Sequence, residues 1–160
     1  MKNNIVLRQL RYIFEWNDAK VIDLFAQAEV EVTKDQVIAW LKKEEHEGYV
    51  RISDMDFSSL LNGFINDKRG KREGPQVAPE KILNNNIIFR KLKIALNYKD
   101  VDIIDTFKEV DFLISKHEIS AFFRNPKQGQ YKACEDQFLR NFLHGLQLKF
   151  RPKKASEEEE

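Results

Sequence analysis

"MKNNIVLRQLRYIFEWND" (residues 1–18) and "LNNNIIFRKLKIALNYKD" (residues 83–100) carry the same pattern at two places in one chain. A shift of 82 positions lays residues 3–70 on residues 85–152 without a gap. Identical pairs include Asn3/Asn85, Asn4/Asn86, Ile5/Ile87, Arg8/Arg90, Asp18/Asp100, Ile22/Ile104, Phe25/Phe107, Tyr49/Tyr131, Asp54/Asp136 and Gly63/Gly145. In all, 16 of the 68 aligned positions are identical, and many of the others pair apolar with apolar. An ungapped match of that length is the mark of a duplication.

The duplication divides the chain into a first repeat, 3–68, and a second, 84–152. Between them, residues 69–83, "RGKREGPQVAPEKIL", hold two of the six glycines and two of the four prolines, a linker composition. Residues 153–160, "KKASEEEE", hold no large apolar side chain and read as a disordered tail.

Each repeat reads as four helices. The first carries Ile5, Leu10, Ile13 and Phe14 near helical spacing, and the second carries Val21, Ile22, Phe25 and Ala28 on one stripe. The third opens with "TKDQ" (33–36) in one copy and "SKHE" (115–118) in the other; both are capping boxes, in which a hydroxyl and a Gln or Glu satisfy free backbone donors reciprocally. The fourth carries Phe57, Leu60, Leu61 and Phe64, matched by Leu139, Phe142, Leu143 and Leu146. No stretch alternates strictly enough for a strand. The expectation is an all-α chain, a tandem duplication of a four-helix unit whose second and third helices resemble a helix-turn-helix. A unit of about 68 residues buries little core alone, so the copies are expected to pack pseudo-two-fold. Gly63 and Gly145 sit within the fourth helices, where glycine costs about 1 kcal/mol against alanine. Close approach of the facing fourth helices at a repeat interface would explain both; a local kink is the alternative.

The chain has 160 residues, 42% hydrophobic and 33% charged, which suits a packed core under a soluble surface. No apolar run is long enough for a bilayer span. Arg8 and Arg11 interrupt the N-terminal apolar stretch and argue against a secretory signal. Cys134 stands alone, so no intrachain disulfide forms, and a cytoplasmic location is expected. The formal charge of +1 is unevenly spread: residues 1–68 carry 9 Lys/Arg against 12 Asp/Glu, while residues 84–152 carry 12 against 8. Such asymmetry fits a polyanion partner for one half, or attraction between the halves.

The strings "NNIVLRQLRY", "AWLKKEEHEGYV", "LLNGFINDKRGKR", "LNNNIIFRKLKIALN" and "CEDQFLRNFLHGLQL" resemble the bacterial YehS-like proteins, the domain-of-unknown-function family numbered 1456. The resemblance spans roughly residues 3–152. It implies a small protein built from two copies of the unit, and it brings no activity with it.

Candidate chemistry is sparse. The outer face of the second repeat's third helix offers Lys116, His117, Ser120, Arg124 and Asn125, with Lys127 and Lys132 beyond, all able to donate to phosphate or base acceptors. In the first repeat Asp35 and Ile38 spoil the same face. The turn before this helix is longer than the tight type, and its usual glycine is replaced by Glu29 or Asp111. Lys68, Arg69, Lys71 and Arg72 form the densest basic cluster; they fit a helix C-terminus or a phosphate clamp. A P-loop is excluded by six residues between Gly63 and Gly70 and by Arg72 after Lys71. His46, His117 and His144 lack the spacing of a helical metal site, and no cofactor or metal is expected. Asp54 and Asp136 sit where acids favour a helix N-terminus, and no catalytic motif is present. Tyr49 and Tyr131 read as loop-seating residues, and Trp40 and Phe122 as core.

The sequence therefore predicts a non-catalytic cytoplasmic binding or adaptor module that meets a protein partner. The alternative is a helix-turn-helix-like nucleic-acid-binding regulator that uses the second repeat.

Overall fold

The computed structural model describes residues 1–151, so the acidic tail predicted as disordered lies outside the described residues. Those residues form helices and connecting loops, with no strand among them. The helices are α1 (Asn3–Phe14), α2 (Asp18–Gln27), α3 (Lys34–Leu41), α4 (Asp54–Arg69), α5 (Asn85–Leu96), α6 (Asp100–Lys108), α7 (Lys116–Phe122) and α8 (Asp136–Phe150). Each helix of the second set starts 82 residues after its twin in the first. The chain is all-α and tandemly duplicated.

Local chemistry sets these starts and stops. Thr33 and Ser115 each accept from the N–H three residues on, while Gln36 and Glu118 reach back to the cap N–H, so both capping boxes form. Asn17 and Ser53 cap α2 and α4 with a side-chain oxygen. α1 and α5 end on Glu15 and Asn97, at φ 56° and 55°. The second helices stop in a matched way at Glu29 and Asp111, at φ 61° and 55°. There the Val30 N–H reaches Phe25 O at 2.9 Å and the Phe112 N–H reaches Phe107 O at 3.0 Å. Those bonds belong to a Schellman stop, which needs a left-handed residue and is usually given a glycine. Glu29 and Asp111 supply that conformation themselves, so the turn keeps its geometry without a glycine.

By its contacts the chain divides into two compact units, with the boundary between Asn97 and Tyr98. The first unit contains α1–α5, and its core includes Val6, Leu7, Leu10, Val21, Leu24, Phe25, Val37, Trp40, Phe57, Leu60, Leu61 and Phe64. The second contains α6–α8 around Ile103, Phe107, Ile119, Phe122, Leu139, Phe142, Leu143 and Leu146. The fourth-helix stripes and both third-helix aromatics are core, as their spacing predicts. Two apolar residues assigned to stripes face outward instead: Ile5 is 48% exposed, and Ile22 is only half-buried while its neighbour Leu24 is fully buried.

Asn4 joins three segments of the first unit. Its Nδ2 donates to Trp40 O and Val50 O, both at 2.9 Å, and its Oδ1 accepts from the Ile52 N–H at 3.1 Å. This 2%-exposed amide satisfies the end of α3 and the following loop at once. Beside it Asn3 donates to Asp54 at 2.8 Å, and Asp54 also accepts from the Leu83 N–H at 2.9 Å. The Leu83 N–H, with help from Asn3, holds the Asp54 carboxyl below the usual range.

The two mid-helix glycines have one explanation, and it differs from the one expected. A Cβ on Gly63 would stand 1.7 Å from Leu24 O, and one on Gly145 would stand 2.2 Å from Thr106 O. Leu24 and Thr106 are twins, so in each repeat the fourth helix presses its glycine on the backbone of its own second helix. The close approach predicted between facing fourth helices is made within each repeat.

α5 opens the second repeat in sequence, yet it packs along α4 within the first unit. Lys91 of α5 is buried there, its Nζ 2.6 Å from Asn62 Oδ1 and 3.1 Å from Glu80 Oε2. Ser58 donates to the same Glu80 carboxylate and accepts from the Glu80 N–H, so the linker is tied to α4 and α5 together. Among the described residues no helix is long and apolar enough to cross a membrane.

Candidate binding surfaces

α2 and α3 pack on each other across the left-handed turn at Glu29 in the first unit, and α6 and α7 do the same across Asp111 in the second. The capping boxes fix where the third helices begin, which decides what they present. α7 exposes Lys116, His117 and Ser120, and Lys127 is exposed in the following loop. Arg124 is drawn in: its Nε is shut off from solvent without an acceptor among the described residues. Lys132 is also engaged, its ammonium 4.8 Å from the Phe138 ring centroid and 5.7 Å from that of Phe122. The predicted row of cations on this face is thus shortened, because Lys132 lies over two rings of the second unit and Arg124 is only half-exposed. On α3 the exposed side chains are Lys34, Asp35, Gln36 and Ile38, a mixed face.

The basic linker cluster is spread along the chain. Lys68 and Arg69 are exposed in the last turn of α4, where the helix dipole favours them. Lys71 lies 3.4 Å from Glu29, and Arg72 is exposed. Gly63 is deep in the packing of α2 on α4 and Gly145 in that of α6 on α8, so neither lies at an open surface.

Two concave features in the first unit escaped the sequence reading. One is a cleft of about 370 Å3 lined by Lys2, Asn4, Ile5, Arg8, Lys43, Glu44, Glu45 and Tyr49. Lys2 pairs with Glu44 across it, and Arg8 donates to Lys42 O at 3.0 Å at the end of α3. Asn4, Ile5, Arg8 and Tyr49 all keep identical twins. That retention was visible in the alignment, although the cleft itself needs the loop after α3 to fold back on α1. The other is an open apolar groove of about 250 Å3, lined by Ile22, Ala26, Val30 and Val32 with Glu29 and Glu31. It follows the end of α2 and the turn into α3. The second unit bares an apolar residue in its equivalent stretch, where Leu113 is 84% exposed.

Cys134 is buried, and burial pushes its thiol up to about 12, with the Asp136 carboxylate adding to the effect. Asp54 is committed to Asn3 and Leu83. Among the described residues no three His, Cys, Asp or Glu side chains gather as a metal site.

Two repeats of an all-α unit, each with a fourth-helix glycine on the backbone of its second helix, define the class of fold. The chain belongs to the family described as "Protein of unknown function (DUF1456)", whose profile matches residues 3–70 and again residues 85–151. It is 43% identical over 156 residues to "Uncharacterized protein YehS" of Escherichia coli (strain K12), a match covering 97% of this chain and all of that relative. No solved structure matches it.

Proposed function

We propose that the chain is a non-catalytic protein-binding module of the cytoplasm. The observation that carries this reading is the apolar surface at the turn after the second helix: the Ile22–Ala26–Val30–Val32 groove in the first unit, and Leu113 in the second. Covering a side chain as large and exposed as Leu113, 84% exposed, would be favourable in a complex. The unreactive state of Cys134 and the structural engagement of Asp54 favour binding over chemistry. Affinity capture from a bacterial lysate tests the reading. Recovery of a stoichiometric protein partner is expected, and recovery of nothing above background would count against it.

A second reading, a helix-turn-helix-like nucleic-acid-binding regulator, is favoured by the left-handed stop at Asp111 and by exposed Lys116, His117, Ser120 and Lys127. Phosphate contact releases counterions, so binding to mixed duplex DNA must weaken steeply with salt. Lys132 lies over the Phe138 ring and Arg124 is only half-exposed, so this face offers few fully exposed cations and the reading comes second. Titration at two salt concentrations decides it; absence of salt-dependent binding removes it.

A further inference from the structure

The two repeats treat one turn differently. In the second unit Phe112 follows the left-handed Asp111, and its ring stands 5.4 Å from that of Phe107 and 5.6 Å from that of Phe138. In the first unit the residue after the left-handed Glu29 is Val30, and the positions of those ring partners hold Phe25 and Asp56. The second repeat thus supplies its own aromatic ring at this turn, while the first has a small side chain and the 250 Å3 groove. A cavity of roughly 150 Å3 holds a benzene ring, so the groove has room for a phenyl side chain. Its rim differs in charge as well. Glu31 replaces Leu113, so Glu29 and Glu31 border the groove where the second repeat has Asp111 and a leucine.

We infer that the groove of the first unit takes an aromatic side chain from a partner segment that carries Lys or Arg beside it, the ring on Ile22, Ala26, Val30 and Val32 and the cations against Glu29 and Glu31. This inference rests on the protein-binding reading and names the chemistry of the partner. The rim carboxylates set the sign of the ring's neighbours: opposite charge is attracted and like charge repelled. Lys71, now 3.4 Å from Glu29, would exchange for the incoming cation.

The test uses the full chain and blocked tripeptides as probes, followed by amide chemical shifts in NMR titrations. Lys-Phe-Lys is expected to move the amides of Ile22, Ala26, Val30 and Val32, and Lys-Ala-Lys to bind about tenfold more weakly for loss of the ring. Val30→Phe copies the second repeat and should abolish binding while leaving Tm unchanged or raised. Ala26→Lys copies Lys108 at an exposed position and gives the same loss should Val30→Phe fail to fold. Equal response to Glu-Phe-Glu, shifts mapping elsewhere, or shifts surviving both variants would overturn the inference. Self-association of the chain that both variants abolish would overturn it too, by making a second copy the occupant. A captured protein partner that both variants still retain sinks this inference alone and leaves the protein-binding reading standing.

Discussion

Glu80 and Lys91 meet at 3.1 Å, one from the linker and the other from the helix that opens the second repeat, with the Lys91 side chain 8% exposed. The ammonium also reaches Asn62 at 2.6 Å, so it is buried with two partners. Removing one member of such a pair costs more than the pair contributes, because the survivor is left uncompensated. Lys91→Ala is expected to destabilise the chain by about 2 kcal/mol, less than a fully buried pair because Glu80 is a third exposed. Lys91→Leu combined with Glu80→Gln should recover part of that loss. Urea unfolding of the parent, Lys91→Leu, Glu80→Gln and the double variant in a double-mutant cycle measures it.

The same cluster makes stability depend on acid. Burial opposes the charged form of Glu80, but the Ser58 hydroxyl and the Lys91 ammonium outweigh it and keep the carboxyl below its ordinary 4.5. Asp67 behaves alike, with burial overcome by Lys20 and Gln27, and Asp54 is lowered chiefly by the Leu83 N–H. A carboxylate depressed in the folded state contributes stability above its unfolded value and loses it as pH falls through the folded one. Thermal unfolding should therefore show Tm flat near neutrality and falling below about pH 4.5, the ordinary value of the Glu80 carboxyl. Glu80→Gln should shallow that fall.

Gly63→Ala must push α2 from α4, since backbone oxygen stands where the methyl would go. A loss of about 3 kcal/mol or more is expected, and somewhat less for Gly145→Ala, whose nearest atom is farther away. Gly129→Ala, with no atom within 4 Å of the added carbon, is the control and should cost little. Denaturant midpoints compare the three.

Replacing Asn4 by leucine leaves Trp40 O, Val50 O and the Ile52 N–H without their shared partner. The Trp40 O and Ile52 N–H bonds are buried, and each orphaned buried group costs about 1–3 kcal/mol, so severe destabilisation should follow. Hydrogen exchange at the Ile52 amide, fast in the variant and slow in the parent, reads the effect at its source.

Cys134 should resist Ellman's reagent at pH 8, because the thiol is buried and its pKa is pushed up to about 12. Reaction at the rate of global unfolding is the expected outcome; rapid labelling of the native chain would contradict the packing described.

Much of this architecture could be read before any coordinates. The offset of 82 fixes every helix start, and the capping boxes survive because their chemistry is local to four residues. The fourth-helix stripes were legible for the same reason, since Phe57, Leu60, Leu61 and Phe64 share a face by spacing alone. Gly63 signalled contact but could not say with what: its partner is Leu24 O, and carbonyl oxygens look alike in a sequence. The outward turn of Ile5 and Ile22 was illegible because a helical stripe is wider than the surface that covers it. The groove at Val30 is legible only by comparing the repeats, where a ring in one copy faces a valine in the other.

The placing of α5 has a practical meaning for anyone who would divide this chain. Scissors guided by homology would cut near residue 84 and strip α4 of the neighbour that covers it, baring a greasy flank and stranding Glu80. A fragment ending after Asn97 would keep that flank sheltered. The gene was copied at one seam, and the folded molecule comes apart at another.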